Sequence, residues 1–142
     1  LETLLHLREI SKARAIKEYA QAISKREKLE LDLKKAVKML EVLNAEINER
    51  RASGFSGFEQ DGFNQSILRS KEVIIDLNSK VADSKNIESA KRNLYLRADS
   101  NCKSLLKLKE KKKVEHLKSE EKKEESDLED IIGSRFVFNQ SI

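Results

Sequence analysis

The feature that most constrains the fold is the complete absence of proline from 142 residues, with only four glycines beside it. Proline breaks α-helices, whereas small β and α/β folds need proline and glycine in their turns. Charged residues make up 38% of the chain and aromatic residues 5%, as is typical of long helices and coiled coils. The sequence therefore predicts an all-α protein, and a mean hydropathy of −0.65 argues against a large globular core.

Apolar residues in the first third of the chain recur every three or four positions. The mean step is about 3.5, the narrow seam of a coiled coil, and Arg26 interrupts it. This stripe consists of Ile16, Ala20, Ile23, Leu29, Leu33, Ala36, Leu40, Leu43 and Ile47. It predicts a first helix over about residues 1–53.

Residues 54–66 contain three of the four glycines and form the only credible break in the chain. We predict a loop over this range, followed by a second helix over about residues 67–132 that is capped by Asn64 or Ser66. One loop between two amphipathic helices predicts a single domain over 1–142, a long antiparallel two-helix coiled-coil hairpin.

The second helix is predicted from another apolar stripe, which Ser70, Ser84 and Lys91 interrupt. Its members are Ile67, Ile74, Leu77, Val81, Ile87, Leu94, Ala98, Cys102, Leu105 and Leu108. The second helix is expected to be longer than the first, unless the leucine-rich N-terminal segment pairs back against it. Gly133 is expected to end it and to leave residues 133–142 as an apolar tail, in which Phe136, Val137, Phe138 and Ile142 follow no helical period.

Residues that could carry catalysis or bind a cofactor are scarce. His6 and His116 lie near opposite ends of the chain, and two histidines without a patterned carboxylate or cysteine make a poor metal site. Cys102 is the single cysteine and falls on the seam, where a small core residue is expected. A thin rod has no cleft in which to activate a nucleophile. We therefore predict neither catalysis nor a cofactor.

Two features could bind a macromolecule. Phe55, Phe58 and Phe63 each follow a glycine in the loop, and they either cover the hairpin tip or form an exposed aromatic knob. Six lysines form a basic cluster on the second helix: Lys103, Lys107, Lys109, Lys111, Lys112 and Lys113. A solvated face is the first interpretation of the cluster and an acidic protein partner the second. Nucleic-acid binding is disfavoured because this stretch contains no arginine and no aromatic residues between the lysines.

Charge is distributed unevenly along the second half of the chain. Residues 67–118 hold fourteen Lys/Arg against seven Asp/Glu, whereas residues 119–142 hold three against seven. No apolar run approaches the roughly 20 residues that span a bilayer, so no membrane insertion is predicted. A signal peptide is not visible, and a single cysteine fits a cytosolic location.

Several segments resemble the flagellar export protein family FliJ. They are Leu1–Leu7, Lys38–Leu40 with Leu43 and Ile47, Asn48–Arg51 before the glycine-rich loop, and Glu125–Ile131 with Arg135. The resemblance covers nearly the whole chain, in order.

This resemblance implies a non-enzymatic component of the type III export apparatus at the cytoplasmic face of the membrane. FliJ-like proteins form a coiled coil similar to the stalk of rotary ATPases, with helix ends in the pore of the hexameric export ATPase. The family also contacts the export-gate membrane protein and cycles substrate-specific export chaperones. The gate contact would map to Leu40, Leu43 and Ile47, and the charged closing segment to Glu129, Asp130 and Arg135.

The residues themselves add a second surface near the same place. Met39 and Val42 widen the apolar face beyond a strict seam, which suggests a partner-binding surface next to the interhelical core. Three alternatives stay open: an injectisome equivalent, a generic helical scaffold or chaperone that holds another amphipathic helix, and a homodimeric coiled coil with the loop as a hinge.

Overall fold

The computed structural model describes the backbone of residues 1–141 and the side chains of residues 1–135. Helix α1 spans Glu2–Ser53 and helix α2 spans Gly57–Ser141. Over the described residues there is no strand, and the two helices pack antiparallel along the whole of α1. The predicted all-α hairpin is confirmed, and so is the greater length of the second helix.

The turn is much shorter than the sequence predicted. Only residues 54–56 separate the two helices, so the loop expected over 54–66 is wrong for most of its length. Gly54 supplies the turn with a φ of 83°, and the Ser56 hydroxyl accepts a hydrogen bond from the Glu59 N–H at 3.2 Å. Ser56 is therefore the cap, in place of Asn64 or Ser66, and α2 begins at Gly57 rather than at Ile67.

The predicted end of the second helix is also wrong. The backbone of α2 continues through Gly133 to Ser141, because a lone helical glycine costs only about 1 kcal/mol and no proline follows it. Ile142, and the side chains of Phe136, Val137 and Phe138, lie outside the described residues. At about 1.5 Å per residue, α1 with 52 residues is about 78 Å long and α2 with 85 residues about 128 Å.

Residues in the seam between the helices are spaced alternately three and four positions apart. This spacing is unbroken in α2. In α1 it has one step of seven, from Leu5 to Lys12, because Arg8 is exposed. Its α1 members, all buried or half-buried, are Leu5, Lys12, Ala15, Tyr19, Ala22, Arg26, Leu29, Leu33, Ala36, Leu40, Leu43 and Ile47. Its α2 members are Phe63, Ile67, Ser70, Ile74, Leu77, Val81, Ser84, Glu88, Lys91, Tyr95, Ala98, Cys102, Leu105 and Lys109. Near the tip the seam is aliphatic apart from Phe63 and Ser70. Toward the open end charged residues and two tyrosines alternate with apolar residues such as Leu5, Ala22 and Cys102.

Toward the open end, both predicted stripes are partly wrong, because several of their residues lie outside the seam. Ile16 and Ala20 are exposed, and on α2 the side chains of Ile87, Leu94 and Leu108 are exposed as well. The three- and four-residue spacing runs without a change of face from the aliphatic section toward the open end, so position on the helix and not polarity determines which residues face the partner helix there. Polar residues consequently occupy the interface there, and apolar residues are left on the flanks.

Candidate functional site

The aliphatic section near the tip holds the residues to which the family resemblance pointed. Leu40 and Leu43 are half-buried and Ile47 is only 3% exposed, so all three belong to the seam. Met39 and Val42, by contrast, are 71% and 59% exposed. With the stems of Lys35 and Lys38 they line a shallow, mostly apolar depression on the outer surface of α1. A partner can therefore reach Met39 and Val42 without opening the hairpin.

The three phenylalanines of the tip divide between two roles. The rings of Phe55 and Phe63 meet edge to face with centroids 5.8 Å apart, and both are half-buried. This pair covers the end of the seam, as the first interpretation of the loop predicted. Phe58 lies in the first turn of α2 and is 88% exposed, as the knob interpretation predicted for all three.

An ion-pair network crosses the seam in the middle of the hairpin. The Arg26 guanidinium donates hydrogen bonds to Glu88 and, at 2.9 Å, to Glu30, and the contact with Glu88 is the main cause that raises the pKa of Arg26. Lys85 also approaches Glu30, at 3.7 Å. The register of the two helices places these charged side chains in or beside the interface, where the hydrogen bonds and ion pairs between them compensate their charges.

Small residues beside this network leave a groove along one flank of the hairpin. Ser84 is buried, and its hydroxyl donates to the Val81 carbonyl at 2.8 Å. Lys25 of α1 and Ile87 of α2 line the same groove as Ser84, so their side chains lie on the same flank. The remaining lining residues are Leu29, Lys80 and Asp83.

Asp99 organises the seam near the open end. Its carboxylate accepts hydrogen bonds from Lys103 and Lys12, each at 2.9 Å. These two ammonium groups lower the pKa of Asp99, and the contact with Asp99 raises the pKa of Lys12. Two lysines on different helices therefore hold one carboxylate in its charged form.

The last cross-helix contact joins Lys109 to Glu2, whose pKa is lowered by the hydrogen bond from Lys109. Every residue of 110–135 is exposed. We call this part of α2 the protruding segment. It extends about 39 Å past the last contact and contains Glu129, Asp130 and Arg135, all of them exposed.

The histidines and the cysteine do not form a site. His6 is exposed, and His116 on the protruding segment lies 3.1 Å from Glu120. Cys102 is buried in the seam, as predicted. Among the described residues, no group of histidine, cysteine, aspartate or glutamate side chains is arranged to hold a metal ion. No helix in the described part of the chain is long and apolar enough to cross a membrane.

Sequence reasoning missed the polar half of the seam. Tyr19 and Tyr95 stack across it with centroids 6.1 Å apart, and Glu18 accepts from Lys91 at 3.2 Å. Neither Tyr nor Lys is counted in an apolar stripe. The available signal was the three- and four-residue step itself, which continues through both tyrosines and through Lys91.

Comparison with known proteins gives one family. The family model described as "Flagellar FliJ protein" matches residues 1–141. No curated protein and no solved structure matches the chain. The match extends over both helices, the turn and the protruding segment.

Proposed function

The chain belongs to the FliJ family, components of the flagellar type III export apparatus, and on this premise we propose that it is the non-enzymatic stalk and adaptor of that apparatus. Its helix ends enter the ring of the hexameric export ATPase. Its body links the ring to the export-gate membrane protein and to substrate-specific export chaperones, at the cytoplasmic face of the membrane. The family match over residues 1–141 is the observation that carries this proposal.

The shape of the hairpin supports a role as a stalk. A two-helix rod is narrow enough to enter a central pore that would exclude a globular domain. Glu129, Asp130 and Arg135 lie exposed on the protruding segment and are proposed to contact the ring. The interaction would be mechanical and allosteric, because the rod presents no enclosed pocket for a substrate among its described residues.

The tip supports a second contact, with the export gate. Met39 and Val42 offer exposed apolar surface there, while Leu40, Leu43 and Ile47 hold the two helices together beneath it. We assign direct contact to Met39 and Val42, and a positioning role to the three seam residues. Phe58 adds an exposed ring at the extreme end, and Phe55 and Phe63 support the turn that carries it.

The basic cluster on α2 does not need nucleic acid to explain it. Lys103 pairs with Asp99 and Lys109 with Glu2, so part of the cluster stabilises the hairpin. The family match favours the flagellar apparatus over its injectisome equivalent. It also favours a dedicated export component over a generic helical scaffold or chaperone.

The test of the ring contact is ATP hydrolysis by the cognate export ATPase with and without this protein. We expect clear stimulation that is lost when Glu129→Lys and Asp130→Lys are combined. The matched control combines Glu27→Lys and Glu41→Lys, the same change of charge on exposed positions of α1. Absence of stimulation by the unaltered chain, together with no co-sedimentation with the ring, would refute the stalk assignment.

The gate contact is tested separately, by capture of the soluble domain of the export-gate protein. Met39→Asp combined with Val42→Asp should abolish capture and leave the helical circular dichroism signal unchanged. Leu68→Asp combined with Ile75→Asp is the matched control, because both side chains are exposed on α2 near the tip. Equal loss of capture in both variants would show that the assigned surface is not specific.

A further inference from the structure

A groove between the two helices runs along one flank of the hairpin, in the half toward the open end. Ile87, Leu94 and Leu108 border it on α2, where they recur at multiples of seven residues and therefore share a face. Leu4 and Lys25 border it on α1 with the same period. Because Lys25 and Ile87 line one depression, the two columns lie on the same side of the molecule. We call this stretch, from Lys25 and Ile87 to Leu4 and Leu108, the basic groove.

The basic groove has a partly exposed apolar lining. The aliphatic side chains that border it are each exposed by 41–48%: Leu4, Ile87, Leu94 and Leu108. At the end nearest the tip, half-buried Leu29 and buried Ser84 form its floor, because a serine in the seam leaves room that a leucine would fill. All of these residues lie where α1 and α2 are paired, on the tip side of the contact between Lys109 and Glu2. The apolar lining is therefore a feature of the packed hairpin itself.

Cations stand on both rims of the basic groove. Arg14 of α1 and Arg97 of α2 lie at one level of the hairpin, since each is two residues from a member of the cross-helix pair Lys12–Asp99. Toward the tip, the α1 rim continues with Lys25 and Lys28. Among the described residues, none of these four rim cations forms an ion pair. They remain available to an acidic partner.

Charge also distinguishes the basic groove from the opposite flank. Near the groove, the Glu18 carboxylate already accepts a hydrogen bond from Lys91 of the seam, and Asp83 lies at the end nearest the tip. The opposite flank of the same stretch has similar apolar exposure, with Ile16 at 45% and Leu96 at 46%. Its cations and carboxylates, however, are equal in number: Lys85, Arg92, Lys103, Glu9, Glu27 and Asp99. Only the groove therefore combines an apolar lining with an excess of positive charge in this described stretch.

The lining and the rims together indicate what the groove fits. Residues 4–25 of α1 span about 32 Å, which accommodates about three heptads of a third helix. Such a helix packs its apolar stripe on Leu94 and its neighbours, and carboxylates on both sides of the stripe meet Arg14 and Arg97. A nucleic acid would meet the cations but leave the aliphatic side chains without a partner. The same groove of a second copy would set like charges against each other.

We propose that the basic groove binds an acidic amphipathic helix of another protein, which completes a local three-helix bundle. The bound helix covers the aliphatic lining and pairs its carboxylates with the rim cations. The proposal goes beyond the stalk function, because the groove lies apart from the protruding segment and from Met39 and Val42 near the tip. The hairpin can hold this partner while the proposed ring and gate contacts are made.

Fluorescence anisotropy of a labelled synthetic peptide tests this proposal with the full chain, without the ATPase or the gate protein. The peptide is three heptads long, with leucine at three- and four-residue steps and glutamate on both sides of the leucine stripe. We expect this peptide to bind, and a peptide with lysine in place of each glutamate not to bind. Absence of binding by the glutamate peptide, or equal binding by both peptides, overturns the proposal.

A substitution in the lining tests where the peptide binds. Leu94→Asp should weaken binding about tenfold or more, because a charge replaces an apolar contact. Leu96→Asp is the matched control, since it adds the same charge at similar exposure, 46% against 48%, on the opposite flank of α2. Both variants should keep the helical circular dichroism signal. Equal loss of binding in the two variants would show that the peptide does not occupy the groove.

A reversal of the rim charges tests the acidic character of the partner. Arg14→Glu combined with Arg97→Glu should weaken binding of the glutamate peptide about tenfold or more. Lys17→Glu combined with Arg92→Glu is the matched control, because both residues are exposed in the same stretch but lie away from the groove. Equal losses would reduce the contact to nonspecific attraction by net charge and would refute the site.

Two measurements distinguish the proposed helix from other occupants. Sedimentation equilibrium of the chain alone should show no self-association that Leu94→Asp abolishes, since such a result would assign the groove to a second copy. Vesicles that contain phosphatidylglycerol should not displace the glutamate peptide, since displacement would assign the groove to an anionic membrane surface. Either contrary result overturns the proposal.

Discussion

The Arg26 guanidinium donates hydrogen bonds to both carboxylate oxygens of Glu88, a residue 62 positions away on the other helix. Both residues occupy seam positions that a coiled coil usually gives to apolar side chains. Their pairing is directional, so it adds a specific cross-helix contact to the register that continues from the aliphatic section.

Substitution of one partner of this pair should destabilise the hairpin more than substitution of both. Arg26→Leu or Glu88→Leu alone leaves an unmatched charge in the seam and should lower the melting temperature, measured by circular dichroism. The double Leu variant should recover most of the loss, because an apolar pair suits the seam. A double variant whose loss equals the sum of the two single losses would mean that the residues act independently.

Stability should fall in acid because of Asp99. Lys103 and Lys12 lower the pKa of this carboxyl in the folded chain, so its stabilising contribution is complete above the ordinary value of 3.8. The contribution is lost as the pH falls through the lower, folded pKa. Thermal melts below pH 3.8 should show a steeper loss of stability for the unaltered chain than for Asp99→Asn. Parallel curves would count against this assignment.

Glycine substitutions should have opposite signs in the turn and in the helix. Gly54 has a φ of 83°, which strains any residue with a Cβ, so Gly54→Ala should destabilise the hairpin by about 1 kcal/mol. Gly62 lies inside α2 with open space around it, so Gly62→Ala should stabilise by about 0.5–1 kcal/mol. Urea unfolding measures both. A stabilising Gly54→Ala would show that the turn differs from the one described.

Substitutions in the seam near the tip should lower the free energy of unfolding much more than substitutions on the outer surface beside it. Ile47→Ala removes a buried side chain and should cost about 2–4 kcal/mol in urea unfolding. Val42→Ala removes exposed apolar surface and should stay within about 0.5 kcal/mol. Similar losses from the two substitutions would place Val42 in the core and remove it from the proposed gate contact.

Much of the fold followed from the sequence because helix formation is local. The absence of proline, the spacing of residues such as Leu29, Leu40 and Val81, and the single glycine-rich break determined a hairpin of two long helices. The burial of Cys102 followed from the same spacing. The aliphatic half of the seam could be assigned from apolar residues, apart from Ser70, which interrupts the predicted stripe, and Phe63, which fell in the predicted loop.

Which face of each helix is buried depends on packing between the two helices, and the local sequence pattern does not contain this information. Helical continuity from the aliphatic half placed Arg26, Glu88 and Tyr95 in the interface, and it left Ile87 and Leu94 on a flank. A sequence shows which residues are apolar, but which face of a long helix is buried depends on the register with its partner. That register is the sum of contacts between residues far apart in the chain, so only the packed pair of helices reveals the surfaces left free for partners.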